Sequence, residues 1–524
     1  MERPERERAL MFHAFNAERA PLSHMTPIFY AYLFVAAVLI AAATVMSVKR
    51  AESKKPLTEA PDALRKRNAR QVPLAGGAVV ATLLITVGVL ATFTAFLLGP
   101  FFKERAFPFI LLFITYVFAL LGYWDDLRPL SARVKIAVQT VAACLAAYVW
   151  FHPFDAPVEL LYASPKYGAV TASLGAALGA CFIVFWLLSC ANSFNLLDGA
   201  DGFAGTFAIL VFATLAGVLK MWNEPSLFLE TSAWLTVAVL AGFLVRNKPP
   251  AKVYLGDAGS LAIGVYLGAF ALCLFSSRQY VRPVPVLCLM TLPALDSAFA
   301  VVRRLALRRS VLSPDLEHLQ HLLERKFGHG WPPIAVLAAL QIPLCAATLA
   351  GYWFDCDDVP LAAAVIYWFA LPLSGLFGRN ELRLAAIRLR AALNARFRGG
   401  SGVFLDAFRQ PENETLWRNL LERAQERGCV AVRVSANYPA ADVDWFGSWR
   451  APREPGADPV AFTEPLQMNG VAFGSIYLAF NPNATAPNEA FEAVDALRAF
   501  AQTCVPQDAA PDGGEEDERE SQHE

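Results

Sequence analysis

Four polar side chains interrupt a long apolar stretch of the sequence. The segment NSFNLLDGADGFAG, residues 192–205, carries Asn192, Asn195, Asp198 and Asp201, one at every third position. Neighbours at that spacing share a helix face, although the full set sweeps around the helix. Carboxylate and amide oxygens suit Mg²⁺, which takes few protein ligands together with waters and a phosphate. The segment therefore predicts a cation site, and a polar turn between two helices is the alternative.

A second acidic pattern lies in GYWDDLRPLSARVK, residues 122–135. Asp125 and Asp126 repel each other, so the pair favours a cation or a proton between the carboxylates. A solvated turn would use the same residue type. Ser131 can cap the helix that follows, which puts Lys135 one turn into it. The Lys135 ammonium could hold a phosphate or simply reach the membrane surface.

The third pattern is KVYLGDAGSLAIG, residues 252–264. Gly256 and Gly259 allow the backbone to approach a ligand closely, and Asp257 stands between them. Ser260 opens a helix whose N-terminal amides favour an anion. A loop followed by an ordinary helix cap is the alternative.

The fourth pattern runs from Asp296 to SPDLEHLQHLLERKFG, residues 313–328. The Ser-Pro pair at its start is typical of a helix N-terminus. His318 and His321 are then expected on one helix face, where they could hold a diphosphate. Two histidines on a solvated face are the alternative.

The elements that must position these residues are membrane helices. The chain has 524 residues, 56% of them hydrophobic and only 17% charged, against about 25% in ordinary soluble proteins. About 20 apolar residues cross a bilayer as a helix, and eleven such spans are predicted: 26–48, 73–99, 107–124, 133–150, 172–190, 203–221, 229–246, 259–275, 281–302, 333–352 and 358–378. The composition predicts an all-α polytopic membrane protein, and the net charge of −1 argues against a nucleic-acid partner.

Loop charges predict the orientation of the bundle. Most Lys and Arg side chains between the spans lie in linker 49–72 and in loops 124–133, 246–258 and 303–332. Positive loops stay in the cytoplasm. With eleven spans the N-terminus is then outside and the C-terminus cytoplasmic, and all four polar patterns face the cytoplasm.

The composition also predicts five regions along the chain. They are an extracytoplasmic segment (1–25), a transmembrane domain (26–378), a basic amphipathic linker on the inner leaflet (379–400), a soluble α+β domain (401–505) and an acidic tail expected to be disordered (506–524). In the soluble domain we predict helices at 413–427 and 487–503, a strand at CVAVRVSA, and a hairpin turning at Asn469-Gly470. This arrangement is loosely similar to a GAF-type sensor module.

Five motifs together resemble a known family. DDLRPLSARVK, NSFNLLDGADGFAG, YLGDAGSLAIG and SPDLEHLQHLL, with LRKRNARQVPLAGG at 64–77, resemble the polyprenyl-phosphate N-acetylhexosamine-1-phosphate transferases over about 26–380. The resemblance implies a multi-pass enzyme of the bacterial inner membrane. It would join a UDP-amino sugar to polyprenyl phosphate with Mg²⁺, or Mn²⁺ as the alternative metal, release UMP and start a cell-envelope polysaccharide.

The resemblance also implies roles for individual residues. The metal would be held by Asn195 and Asp257. The catalytic carboxylates would be Asp125, Asp126, Asp198 and Asp201. Substrates would be bound by Lys135, Asn192, Gly256, Ser260, His318 and His321.

Departures from the family pattern leave the sugar open. The usual H-x-H-H appears as His318-Leu319-Gln320-His321, and Asn68 stands where a histidine is common. The motif is nearer to the UDP-N-acetylglucosamine branch than to the UDP-muramoyl-pentapeptide branch, so GlcNAc-1-phosphate is the expected group.

Two readings from other classes compete with a transferase. A transporter would place ionisable groups at mid-bilayer on broken helices, whereas the predicted spans are almost free of charge. A membrane-anchored sensor working through the C-terminal domain would leave the four polar patterns unexplained. A homodimer and a partner or ligand of the C-terminal domain remain open.

Overall fold

A computed structural model shows a mostly helical chain with a small C-terminal sheet. The residues that it describes are 26–53, 58–59, 72–74, 76–98, 106–151, 169–221, 226–276, 283–307, 310–311, 318–379, 381–386, 389, 401–406, 410–438, 443–451, 459–468, 471–481 and 487–503. The predicted segment 1–25, Asn68, the Asn469-Gly470 turn, most of the linker 379–400 and the tail lie outside the described residues.

The helices up to residue 374 are numbered in chain order. They are α1 (Thr26–Ser53), α2 (Gly76–Leu98), α3 (Ala106–Leu127), α4 (Ala132–Phe151), α5 (Ala169–Leu197), α6 (Phe203–Met221), α7 (Leu227–Asn247), α8 (Gly256–Ser276), α9 (Pro283–Leu289), α10 (Thr291–Ala306), α11 (Leu319–Phe327), α12 (Trp331–Trp353) and α13 (Asp358–Ser374). Two short antiparallel strands, β1 (Thr58–Glu59) and β2 (Val72–Pro73), pair between α1 and α2.

Each of the eleven predicted spans contains helix, but not all of them form one straight span. Among the described residues, nine helices are long and apolar enough to cross a membrane. The predicted span 281–302 is two helices, α9 and α10, bent by 66°. Helix α13 has 17 residues, which reach about 26 Å and fall short of a hydrocarbon core of about 30 Å. The described residues therefore give nine spans, or ten if the bent pair is one span.

Helix α8 is the most deeply buried of these spans, because 94% of its most apolar stretch is buried inside the protein. It packs against α3 and α5, and the Trp186 indole of α5 donates a 2.9 Å hydrogen bond to the Gly268 carbonyl of α8. The end of α3 approaches the start of α8 very closely, because a Cβ on Gly122 would lie 2.3 Å from the Asp257 carbonyl oxygen. Small residues at such crossings let membrane helices pack closely.

The polar segment 192–205 is part helix and part turn. Helix α5 ends at Leu197 and α6 begins at Phe203, so Asn192 and Asn195 lie on a helix while the two aspartates lie in the turn. The three-residue periodicity therefore predicted the helix correctly for its first half only. The glycines of the second half end the helix.

The chain divides into two compact units. One comprises Met1–Ala294 with Leu319–Tyr367, and the other comprises Leu295–His318 with Trp368–Glu524. The second unit contains β3 (Ser401–Asp406), α14 (Pro411–Glu426), β4 (Cys429–Tyr438), β5 (Val443–Arg450), β6 (Val460–Met468), β7 (Val471–Phe480) and α15 (Pro487–Thr503).

The C-terminal strands form one antiparallel sheet in the order β3-β5-β4-β7-β6. The two predicted helices and the strand at CVAVRVSA are confirmed, and the pairing of β6 with β7 confirms the predicted hairpin. Strands β3 and β5 were not predicted. Both helices pack on one face of the sheet, against residues that include Trp445 and Val434.

The opposite face of this sheet covers the end of α10. Successive strand residues point to opposite faces, so Phe446 and Leu405 turn away from the helix-covered core and pack with Ala306 and Leu307. Near this cluster the Arg303 guanidinium pairs with the Glu381 carboxylate, both of them buried. Within the second unit, the sheet is therefore docked on the end of α10 by apolar contacts, and the buried ion pair joins α10 to the segment that contains Glu381.

Candidate active site

Four helix ends of the first unit converge on one group of polar side chains. Asp125 and Asp126 end α3, Lys135 lies in the first turn of α4, Asn195 ends α5 and Asp257 begins α8. These helices are apolar along their length, so the backbone is satisfied internally. The polar side chains lie where each helix stops.

Lys135 joins two carboxylates that come from different helices. Its Nζ contacts Asp125 Oδ2 and lies 2.8 Å from Asp257 Oδ2. The other Asp125 oxygen accepts a 2.7 Å hydrogen bond from the backbone N–H of Leu130, which fixes the turn between α3 and α4. A cation was predicted beside the Asp125–Asp126 pair, and in this structure the Lys135 ammonium contacts Asp125 of that pair.

Asp126 caps the start of α8 from another helix. Its two oxygens accept hydrogen bonds from the backbone N–H groups of Asp257, at 2.8 Å, and Ala258, at 3.0 Å. Gly256 has a φ of +64°, and a Cβ there would lie 2.8 Å from Asp126 Oδ2. The anion predicted at this helix N-terminus is therefore the protein's own carboxylate, which the positive end of the helix stabilises.

Asn195 holds the other side of Asp257. Its amide Nδ2 donates to Asp257 Oδ1 at 2.9 Å and to Ser260 Oγ at 2.8 Å. The fully buried Ser260 hydroxyl in turn donates to the Gly256 carbonyl at 2.8 Å. Ser260, predicted to bind substrate, thus contacts residues that position Asp257.

Comparisons with known proteins identify the family of this chain. The model of the family described as "Glycosyl transferase family 4" matches residues 108–275 of this chain. This range includes Asp125, Lys135, Asn195 and Asp257. An undecaprenyl-phosphate alpha-N-acetylglucosaminyl 1-phosphate transferase of Thermotoga maritima is 30% identical over 290 residues, 55% of this chain and 80% of that protein. The chain belongs to glycosyl transferase family 4.

Two further relatives indicate the range of this family. A probable undecaprenyl-phosphate N-acetylglucosaminyl 1-phosphate transferase of Bacillus subtilis is 27% identical over 258 residues, 49% of this chain and 66% of that protein. A phospho-N-acetylmuramoyl-pentapeptide-transferase of Carboxydothermus hydrogenoformans is 31% identical over 233 residues, 41% of this chain and 65% of that protein. This family 4 member is accordingly a multi-pass membrane sugar-phosphate transferase.

The remaining residues of the segment 192–205 have different surroundings. The Asn192 amide donates to Gln139 Oε1 at 2.7 Å and to the Leu188 carbonyl at 2.8 Å. Asp201 Oδ2 accepts a 2.8 Å hydrogen bond from the backbone N–H of Ala251, so it ties the turn to the chain before α8. Asp198 is half-buried in the turn. The catalytic roles implied for both aspartates stay predictions.

The two predicted histidines lie in different units and do not share a helix face. Helix α11 begins at Leu319, so His318 precedes it and only His321 is helical. Within its own unit, His318 is buried with Nδ1 3.1 Å from Asp296 Oδ2. The predicted cluster of Asp296 and His318 is therefore a direct contact.

In the first unit, His321 faces an acidic partner. Its Nδ1 lies 3.9 Å from Glu324 Oε2, and His329 Nδ1 lies 3.3 Å from the other Glu324 oxygen. Burial raises the pKa of Glu324, but its contacts with the two histidines outweigh this, so the net pKa lies below the usual range. Glu324 is a site residue that sequence reasoning missed.

Two other polar residues were also missed. Gln139 follows Lys135 by four residues, on the same face of α4, and accepts the hydrogen bond from Asn192. Asn247 ends α7, where its amide accepts from the Gly202 N–H at 3.0 Å and donates to the Val253 carbonyl at 2.9 Å. The sequence carried one signal for each residue: Gln139 is an amide inside an apolar run, and Asn247 is an amide at the end of one.

The charge and donor types of the site fit a divalent cation. When all are ionised, the three carboxylates of Asp125, Asp126 and Asp257 outnumber the Lys135 ammonium by two charges. Across the described ranges, no three His, Cys, Asp or Glu side chains converge on a metal position. Mg²⁺ suits such a site because it keeps several waters and substrate phosphate oxygens, whereas zinc favours Cys and His ligands.

Proposed function

We propose that this chain transfers an N-acetylhexosamine-1-phosphate, GlcNAc-1-phosphate in the first instance, from a UDP-sugar to polyprenyl phosphate. The reaction takes place at the cytoplasmic face, releases UMP and starts a cell-envelope polysaccharide. The observation that carries the proposal is the Lys135 ammonium in contact with Asp125 and Asp257, with Asn195 on the far side of Asp257. Carboxylates, an amide and a cation at membrane helix ends suit phosphate chemistry next to a lipid.

The reaction balances without a redox partner. An oxygen of the lipid phosphate attacks the β-phosphorus of the UDP-sugar. The bond from that phosphorus to the oxygen bridging the two phosphates breaks, and the electron pair leaves with UMP. The lipid phosphate is already anionic at neutral pH, so it needs little activation. Catalysis then consists mainly of positioning and of balancing charge.

The first-unit residues have distinct roles in this proposal. Asp257 and Asn195 would hold Mg²⁺, or Mn²⁺ as the alternative, and the bound cation would neutralise charge on the diphosphate. Lys135 lies within reach of the same point and binds the lipid phosphate as a point charge. Asp125 holds the Lys135 ammonium. Asp126 keeps Asp257 in place through the backbone of α8.

Helix α11 provides the donor end of the site in this proposal. His321 is held by Glu324, and an imidazole ordered in this way can bind a diphosphate or sugar oxygen. Gln320, one residue earlier, contacts the end of α5, which carries Asn195. The relatives named for N-acetylglucosaminyl transfer support GlcNAc-1-phosphate as the transferred group, and the N-acetylmuramoyl-pentapeptide relatives support the wider donor class.

The position of charge favours a transferase over a transporter. Asp125, Asp126, Lys135 and Asp257 lie in the first or last turn of their helices, and the buried Glu230 lies in the first turn of α7. A transport pathway would place ionisable groups near mid-bilayer. In the nine straight spans of the described residues, mid-helix positions carry no Asp, Glu, Lys, Arg or His, although they include buried amides such as Gln341 of α12.

The proposed orientation has a direct test at Ser131, which is exposed between α3 and α4. A cysteine placed there should react in permeabilised cells and resist a membrane-impermeant maleimide in intact cells. Labelling of intact cells would put the site outside, where UDP-sugars are absent.

The function itself is tested with purified protein, Mg²⁺, polyprenyl phosphate and a panel of UDP-sugars. UMP release that depends on both the lipid and UDP-GlcNAc is the expected result. Release with UDP-muramoyl-pentapeptide alone would change the sugar and keep the reaction. No release with any donor, from protein that remains monodisperse, would contradict the proposal.

A further inference from the structure

Gln320 joins helix α11 to the end of α5. Its side chain is buried, and its amide Nε2 donates a 2.5 Å hydrogen bond to the Leu196 carbonyl. Both residues belong to the first unit. Leu196 directly follows Asn195, whose own amide contacts Asp257 and Ser260.

The Leu196 carbonyl is one that a helix cannot satisfy by itself. The last four carbonyls of an α-helix have no intrahelical partner, and Leu196 is the second-last residue of α5. Gln320 supplies a donor from a distant part of the sequence. It therefore acts as a side-chain cap on the helix that presents Asn195.

The turn after α5 is shaped around this side chain. A Cβ on Gly199 would lie 2.5 Å from Gln320 Nε2 and 3.0 Å from its Cγ. The amide orientation is also defined, because a flipped amide would put Oε1 against the Leu196 carbonyl, oxygen to oxygen. Gly199 leaves the room that Gln320 needs.

Packing alone does not explain a glutamine at this position. Gln320 Oε1 is buried and has no hydrogen-bond partner in the described part of the chain. An unpaired buried acceptor is unfavourable, and an apolar side chain of the same shape would avoid it. What the glutamine adds over such a side chain is the hydrogen bond from Nε2.

We propose that Gln320 is a positioning residue, which fixes the C-terminal end of α5 and so keeps the Asn195 amide against Asp257. The effect on turnover rests on the proposed transferase function, whereas the effect on the backbone does not. Loss of the hydrogen bond should loosen residues 195–199, lower kcat and raise the Mg²⁺ concentration needed. The KM for polyprenyl phosphate should change little, since Lys135 is untouched.

The test compares Gln320→Met with Gln320→Glu in the full-length protein. Methionine keeps the shape and lacks the donor at every pH. Glutamate lacks the donor when ionised and regains one when protonated, because the carboxyl O–H can donate to the Leu196 carbonyl. Burial raises the pKa of an introduced carboxyl, which brings this protonation toward the assay range.

The expected results differ between the two variants. The turnover of Gln320→Glu relative to wild type should rise as pH falls, by up to about tenfold per unit above its pKa. The same ratio for Gln320→Met should be low and flat. If Gln320→Glu at acid pH turned over no faster than Gln320→Met, a donor at this position would not matter, and the proposal would be overturned.

Amide hydrogen exchange gives a readout that needs no activity. Peptides covering 192–202 should exchange faster in Gln320→Met than in wild type, whereas peptides from α6 should not change. Unchanged exchange at 192–202 in a folded variant would overturn the inference. If wild type lacked turnover but the exchange difference remained, the proposed function would fail while the positioning role stood.

Discussion

The backbone N–H of Asp257 donates a 2.8 Å hydrogen bond to the Asp126 carboxylate, which precedes it by 131 residues. Asp125, next to Asp126, instead contacts the Lys135 ammonium. Two adjacent aspartates thus have separate tasks. One holds the backbone of α8, and the other holds a side-chain cation.

Asp126→Ala should lower kcat roughly 10- to 100-fold, the usual cost of removing a residue that orients a metal ligand. The reason is that the N–H groups of Asp257 and Ala258 lose their acceptor. Asp126→Asn retains one oxygen acceptor and should be less impaired. Steady-state kinetics on both variants measures this, and equal activity of Asp126→Ala and wild type would rule out the capping role.

Lys135→Met should raise the KM for polyprenyl phosphate and leave the KM for the UDP-sugar much less affected. The physical reason is the loss of the ammonium that contacts both Asp125 and Asp257. Arg133→Met is the matched control, because this exposed cation lies two residues away on the same helix. Equal lipid KM values for the two variants would count against Lys135 as the phosphate-binding residue.

Asn195→Ala should shift the Mg²⁺ titration to higher concentration, and Asp257→Ala should abolish turnover at any Mg²⁺ concentration. Asn192→Ala is the control of the same residue type one turn earlier, where the amide faces Gln139. A metal titration of Asn195→Ala that matches wild type would remove this residue from the proposed metal site.

The site was largely predictable from sequence because its residues cluster in short motifs. Asp125, Asp126, Lys135, Asn195 and Asp257 all came from such motifs, and the structure brings them together. Gln139 and Asn247 could not be ranked in advance, because each has a partner far along the chain, Asn192 for the first and Gly202 for the second. Glu324 lies close to its partners in the sequence and was overlooked. The partner of Asp126 is a backbone amide, which no sequence pattern displays.

The fold was also predicted in part, with some elements found from the sequence and others missed. Long apolar runs predicted the nine straight membrane helices of the described residues, since backbone satisfaction in lipid leaves few alternatives. The bend between α9 and α10 was missed because no charged residue interrupts the chain from Pro283 to Leu295. Strand β3 was missed because it is defined by pairing with β5, which lies far along the chain, whereas the missed β5 also pairs with its neighbour β4.

Glu324→Gln should destabilise the protein near pH 6 and have a shrinking effect as the pH falls below about 4. The pKa of Glu324 is lowered in the folded state, so its ionised form stabilises above the unfolded-state value of about 4.3. That contribution disappears as pH falls through the folded value. Melting temperatures across this range, with the exposed Glu422→Gln as control, measure it; an effect that grows toward acid pH would contradict the sign.

Truncation after residue 400 should leave transfer largely intact while lowering stability. Every candidate site residue precedes residue 330, but Leu405 and Phe446 cover Ala306 and Leu307. Phe446→Ala in the full chain should lower stability by about 3 kcal/mol or more and also retain transfer. A well-folded truncation without activity would show that the C-terminal domain completes the site. Retained activity would favour a regulatory or partner-binding role for the domain.

The central claim is phosphoryl transfer to a lipid phosphate, and the fate of the β-phosphorus tests it most directly. Purified protein would receive UDP-GlcNAc radiolabelled at the β-phosphorus, together with polyprenyl phosphate and Mg²⁺. Attack at that phosphorus predicts label in the lipid product and unlabelled UMP in solution. Label released as UDP, with sugar alone on the lipid, would mean attack at the sugar carbon and would contradict the account.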